Sequence, residues 1–289
     1  PVRLIITGFE RGVFMTAFLV FLGFIRAAAD DSNIVRRCGE FLLSQKPGAR
    51  YSAFWTGGTM FGAIISVGCL NLFGAMVTAA NTLESAGGDE RVRQIRARRS
   101  TIALMRGFTS SLLWSPMSIT LAVVLKSLPG VRWPWVLTIG AGIALLQLGF
   151  GWLIDRLTHP TPASGVPVFQ SSERWTVFLF PAVLIAAIFF IGSGLENIYN
   201  VTLATGVMTG APVVTLIWLA TQATKRPSVK IAPHMSRSLI RFAREVVPNY
   251  RMEVTILSTA GFAGAVIASF LKPEMVASAL EWSSTPAFL

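Results

Sequence analysis

Five hydroxyls and a proline fall within eleven residues of an otherwise apolar region: Ser110, Ser111, Ser115, Pro116, Ser118 and Thr120, in the stretch SSLLWSPMSIT. Hydroxyls can exchange hydrogen bonds with a polar solute, and the free amides at a helix start attract anions. Serine is a good N-cap and proline suits the first helical position, so Ser115 and Pro116 predict a helix that starts at Pro116 and ends before Leu128-Pro129-Gly130. Residues 101–113 form a helical piece upstream. The whole segment therefore reads as a broken helix interrupted near Trp114, with Arg106 two turns before the break. A cation inside an apolar span is costly enough to mark a functional position, here a partner for an anion. The bland alternative is that the hydroxyls back-bond to helix carbonyls around a proline kink, while Arg106 snorkels or meets a carboxylate.

The solvent around these groups follows from composition. Of 289 residues, 53% are hydrophobic and 13% charged, where a soluble domain carries about 25% charged residues. Uncharged runs at 133–154, 175–195 and 198–222 match the roughly 20 residues that cross about 30 Å of hydrocarbon. The apolar segment 12–25 is followed by many further spans and reads as a first helix, not a cleaved signal. The net charge of +11 is gathered in two loops, one with Arg91, Arg93, Arg96, Arg98 and Arg99 and one with Lys225 through Arg251. Basic loops beside apolar spans mark the cytoplasmic side and contact anionic lipid, which disfavours nucleic acid as the partner. Cys38 and Cys69 lack metal-ligand or disulfide spacing, and no metal or cofactor is expected. Cys69 reads as a small packing residue.

Single crossings at 101–125, 134–154, 175–194 and 198–222 put most of the positive charge on one side. Residues 51–81 resist that scheme: as one crossing they would leave the basic 26–50 loop outside. They are also longer than one span and are interrupted by Gly57, Gly58, Gly62, Gly68, Asn71 and Gly74. A re-entrant hairpin turning near 66–71 removes both difficulties and places Ser66 and Asn71 at membrane depth, where irregular backbone is tolerated only beside protein or a water-filled cavity. One long tilted helix with small-residue faces is the alternative. A basic amphipathic stretch at 32–43, followed by Pro47 and Arg50, returns at 236–247, followed by Pro248 and Arg251. The expected organisation is a first unit 1–222 (arm 30–50, hairpin 51–81, broken helix 101–128, three spans) and a second, 223–289 (arm 234–250, hairpin 252–289), with Ser258 and Thr259 in that second hairpin.

The pattern Ser115-Pro116-Met117-Ser118, an apolar helix, Leu128-Pro129-Gly130-Val131 and another span resembles the serine-proline-x-serine motif of ion-transporter-superfamily permeases, the citrate, four-carbon dicarboxylate and gluconate carriers. The resemblance implies that hairpins and broken helices form the solute site, that Ser115, Pro116 and Ser118 shape it, and that amphipathic arms join scaffold to transport parts. The chain lacks the asparagine-rich hairpin tips of the arsenite and sodium-coupled dicarboxylate branches. The resemblance also implies further spans beyond the last residue, because no second broken helix precedes it.

The expected fold is all-α, a polytopic inner-membrane protein of about 6–8 transmembrane helices with a re-entrant hairpin and a broken helix. The expected function is secondary transport of a small anionic organic solute, without covalent chemistry, coupled to a proton or cation. Solute-binding candidates are Ser66, Asn71, Arg106, Ser110, Ser111, Ser115, Pro116, Ser118, Thr120, Ser258 and Thr259. The partners are the lipid bilayer, the solute, the coupling ion and, in a homodimer, a second copy. A membrane-embedded transferase would need clustered acids or histidines, whereas the two histidines, His159 and His234, lie in expected loops. A non-transporting membrane subunit or sensor is the third reading, and no phosphate-binding glycine loop supports an ATP-driven pump.

Overall fold

Long uncharged runs leave the backbone to satisfy its own hydrogen bonds, and a computed structural model of the chain makes them helices. It describes residues 2–30, 32–66, 68–127, 131–159, 172–224, 236 and 239–270. Among the described residues no strand occurs. The helices are α1 (Val2–Asp30), α2 (Asn33–Leu43), α3 (Pro47–Ile65), α4 (Gly68–Ala80), α5 (Glu90–Trp114), α6 (Ile119–Ser127), α7 (Trp133–Thr158), α8 (Leu179–Tyr199), α9 (Leu203–Thr224) and α10 (Arg251–Phe270). Five stretches among the described residues are long and apolar enough to cross a membrane: Ile5–Ala29, Glu90–Leu125, Trp133–Thr158, Trp175–Tyr199 and Leu203–Gln222.

The chain divides into two units, one formed by Pro1–Val20 with Val247–Leu289 and the other by Phe21–Val246. In the first, the start of α1 packs antiparallel on α10 through small residues. Gly8 faces the Phe262 ring, Gly12 faces the Ser258 backbone, and Thr16 Oγ1 meets Ser258 Oγ at 2.7 Å. Positions 8, 12 and 16 repeat every fourth residue, so they share one face and let the backbones approach. α10 is unbroken from Arg251 to Phe270; the remainder of the expected 252–289 hairpin, and residues 225–235 of the basic loop, lie outside the described residues.

The larger unit is organised around α5. Gly58, Gly62 and Gly107 remove the side chains that would hold α3 and α5 apart: a Cβ on Gly107 would meet the Trp55 carbonyl, one on Gly58 the Leu104 carbonyl, and one on Gly62 the Ser111 hydroxyl. Thr59 Oγ1 donates to the Gly107 carbonyl at 2.9 Å across the same seam. Tyr51 meets Arg106 near one end of the seam and Gly62 meets Ser111 near the other, so α3 and α5 run parallel. α7 runs antiparallel to α5, with Gly140 against the Leu113 carbonyl at one end and Arg99 on Asp155 at the other. α8 and α9 form a second antiparallel pair where Gly192 meets Val207 and Gly206.

α3 and α4 are not one long helix. The chain breaks at Ser66, whose φ of 56° lies in the left-handed region that favours glycine. After the break the chain turns back. The rings of Phe61 and Phe73 meet at 5.0 Å between centroids, and Cys69 lies against the Gly58 carbonyl. Across these helices lies α2, the expected amphipathic arm. It is capped by Ser32, whose side chain accepts from the Ile34 amide, and it buries Val35, Cys38, Phe41 and Leu42 while Arg36 and Arg37 face out. Arg37 reaches Glu173 in a two-pronged pair at 2.7 and 2.8 Å, which holds the Glu173 carboxyl below its ordinary pKa and the Arg37 guanidinium above its own.

Candidate functional site

The hydroxyl-rich stretch is a true interruption. α5 ends at Trp114, a turn occupies Ser115 to Ser118, and α6 begins at Ile119. Its start differs from the expected one at Pro116. Ser115 is spent on the turn, its hydroxyl accepting from the Met117 amide at 3.2 Å and its carbonyl from the Ser118 amide at 3.0 Å. Ser118 does the capping: its hydroxyl accepts from the Leu121 amide at 3.1 Å and donates to the Leu112 carbonyl at 3.2 Å, tying the two helical pieces together. Both serines and Pro116 are buried.

Other hydroxyls in the stretch work on α5 itself. Ser111 donates to the Phe108 carbonyl at 2.6 Å and fills the space that Gly62 leaves on α3. Ser110, fully buried, donates to the Arg106 carbonyl at 2.9 Å and also meets the Gln147 side chain of α7. Thr120 is exposed. The Ser111 and Leu112 carbonyls and the Met117, Ser118 and Leu121 amides, all freed by the break, thus find partners inside the protein, as burial in an apolar medium favours.

One turn before Ser110 stands Arg106, half-buried, with its Nη1 donating to the Tyr51 hydroxyl at 3.3 Å and Gly151 of α7 alongside. No carboxylate lies within ion-pair distance of it among the described residues. Because the tyrosine oxygen is the acceptor, its own O–H proton is left for another group. One turn along α3 from Tyr51, the buried Trp55 Nε1–H has no acceptor among the described residues. Arg106, Tyr51, Ser110 and Gln147 therefore make a polar seam between α3, α5 and α7, with Trp55 one turn along α3 from Tyr51.

Of the sequence candidates, the structure joins Arg106 and Ser110 in this seam and Ser111, Ser115, Pro116 and Ser118 in the adjoining break. Ser66 and Asn71 belong to the other break and are exposed. Ser258 and Thr259 belong to the other unit, Ser258 bonded to Thr16 and Thr259 exposed. Tyr51, Trp55 and Gln147 were not singled out by spacing. Gln147 carried a signal nonetheless, as the only side-chain amide in the run 133–154.

Two hollows lie in the larger unit, the first against the break and the second beside the far end of α6. A nearly all-apolar crevice of about 520 Å³ is walled by Met60, Trp114, Pro116, Leu137, Ile185 and Phe189. A more polar one of about 630 Å³ lies where α7 begins and α8 turns into α9, with Arg132, Glu196, Asn197, Asn200 and Thr202 on its wall. No group of three or more metal-ligating side chains gathers among the described residues.

The fold and site together define a class: a protein whose described residues are helical, with five stretches among them long and apolar enough to span a membrane and a broken helix among those. Comparison with known proteins takes the identification no further, since no family model, no curated protein and no solved structure matches the chain.

Proposed function

We propose that the chain is a secondary carrier of a small anionic organic solute, resident in the inner membrane and working by alternating access with a coupled proton or cation. The observation that carries the reading is Arg106: a guanidinium inside an apolar candidate span, held by a tyrosine hydroxyl and facing no carboxylate among the described residues. A cation partly withdrawn from water without a counterion is costly, and an anionic solute supplies one when it binds. The free donors of Tyr51 and Trp55 favour the same sign of ligand. Ser110, Ser111, Ser115 and Ser118 then hold the break open in shape, with Arg106, Tyr51 and Trp55 making the polar contacts.

The parallel course of α3 and α5 supports a re-entrant α3–α4 hairpin. If α5 enters from the side of its arginine-rich start, α3 enters from that side too, and the reversal after Ser66 returns α4 to it. Broken helices and hairpins near the midplane are the parts from which such carriers are made, and the serine-proline-x-serine likeness to ion-transporter-superfamily permeases agrees with it. The recurrence of a basic arm at α2 and at 236–247 supports two repeat-like units, the second beginning after residue 222.

The test is uptake of radiolabelled citrate, succinate and gluconate into proteoliposomes under an imposed proton or sodium gradient. Saturable uptake of one of them is expected, falling by about tenfold or more in Arg106→Gln and only a few-fold in Tyr51→Phe. Folded protein that moves none of the three anions, or Arg106→Gln transporting like the wild type, would refute the proposal.

A further inference from the structure

At the end of the same seam, two turns before Arg106, Arg99 pairs with an acid while Arg96 and Arg50 stand beside it. Arg99 takes the acid for itself: Nε and Nη2 bind the two Asp155 oxygens at 2.9 and 2.6 Å in a pair that is mostly buried, with 17% and 10% of the two side chains exposed. The α3–α5 register that sets Trp55 and Thr59 beside Gly107, and Gly62 beside Ser111, carries Arg50 to the level of Arg96 and Arg99. Each guanidinium is steered by a backbone carbonyl, Arg50 by Gln45 at 3.1 Å and Arg96 by Ser85 at 2.9 Å. That uses one of five donors on each side chain. Neither forms an ion pair among the described residues, and the nearby Glu84, on the residue preceding Ser85, is exposed and likewise unpaired.

This arrangement is electrostatically one-sided. Arg50 stands in the first turn of α3, the positive end of that helix dipole, and the Lys46 cap offers no side-chain acceptor to the amides there. Burial, with the charges of Arg96 and Arg99 beside it, pulls the Arg50 pKa down to about 10, which leaves it cationic at neutral pH. With Arg99 neutralised by Asp155, two positive charges and a helix N-terminus converge with nothing negative between them. Two guanidinium forks with donors to spare match a tetrahedral oxyanion, which each can grip through two parallel hydrogen bonds. The neighbouring end of α7 is built for the membrane surface, with the Arg156 guanidinium 5.2 Å over the Trp152 ring.

We propose that Arg50 and Arg96, with the Arg99–Asp155 pair as a fixed wall, form a binding site for a phosphate-type oxyanion at the basic end of the α3–α5–α7 seam. The phosphate comes either from an anionic phospholipid headgroup or from soluble phosphate, and the site is independent of the transported solute.

The experiment is thermal unfolding of the full chain in three settings: phosphatidylcholine bilayers alone, the same bilayers with phosphatidylglycerol, and phosphatidylcholine bilayers with inorganic phosphate in the buffer. The wild type is expected to be stabilised by phosphatidylglycerol, by phosphate, or by both; stabilisation by the lipid alone identifies the headgroup as the source, and stabilisation by phosphate identifies the soluble anion. The apparent affinity is expected to fall roughly tenfold in Arg50→Gln and in Arg96→Gln, the scale of losing one charged hydrogen-bonding partner. Arg50→Lys keeps the charge and loses the fork, so it tests the site even if the glutamine variants do not fold, with a weakening of a few-fold expected. Arg98→Gln, an exposed neighbour, is expected to respond like the wild type. No stabilisation of the wild type by either anion would overturn the proposal. So would an equal loss in Arg98→Gln, which would reduce the effect to general surface charge.

Discussion

The chain interrupts its helices at Ser66 and again at Ser115–Ser118, and the two interruptions are built in opposite ways. At the second, two buried serines take over backbone partners at Met117, Leu112 and Leu121, and Ser118 ties Leu112 to Leu121. At the first, an exposed serine holds a φ of 56° and only its backbone is engaged, accepting from the Cys69 amide and donating to the Gly62 carbonyl. The contrast separates two uses of a hydroxyl in an apolar chain. Ser115 and Ser118 substitute for backbone partners, so their removal costs structure. The Ser66 hydroxyl has no partner among the described residues, so its removal costs only whatever it binds.

The largest effect is expected at the seam both breaks share. Gly107→Val would drive a side chain into the Trp55 carbonyl, a backbone atom that cannot move aside, and should cost about 3 kcal/mol of stability by thermal or denaturant unfolding in detergent. Next comes the cap: Ser118→Ala should cost about 1–2 kcal/mol, because it removes both the Leu121 amide's acceptor and the tie to Leu112. Ser66→Gly should move the other way, by about 1 kcal/mol, since glycine takes up a positive φ without strain. Equal costs at Ser66 and Ser118 would erase the distinction between the breaks.

The smallest effect lies outside both, at the Arg37–Glu173 pair that pins α2. The folded-state pKa of Glu173 is depressed, so the pair's contribution is full above the ordinary carboxylate range and is lost as pH falls through the lowered value. A pH titration of the melting temperature should therefore show a slight extra decline at acid pH that is absent in Arg37→Gln.

Much of this was legible in local sequence. Glycine, serine and proline punctuation marks both breaks, and uncharged length marks the spans, because each signal is carried within a few residues. The choice between Ser115 and Ser118 as the cap was not legible, since both are good caps and the Leu112 carbonyl, six residues back, decides it. Nor were Tyr51 and Gln147 as partners of Arg106 and Ser110, or Asp155 as partner of Arg99. These join helices 37 to 56 residues apart, and only the glycines that let those helices close in determine which residues meet.

The two breaks differ most sharply in the course the chain takes beyond them: after Ser66 it turns back, while after Ser118 it goes on. Side-specific labelling with a membrane-impermeant maleimide reads this directly, using Gly48→Cys, Arg91→Cys and Arg132→Cys one at a time. Both native thiols, Cys38 and Cys69, are replaced by alanine beforehand; they are buried, and burial pushes the Cys38 thiol up to about 12. All three positions are exposed, and Gly48 has open space for a side chain. Positions 48 and 91 should label from the same side and position 132 from the other. Labelling of 48 and 91 from opposite sides would contradict the re-entrant hairpin and the pathway built around it.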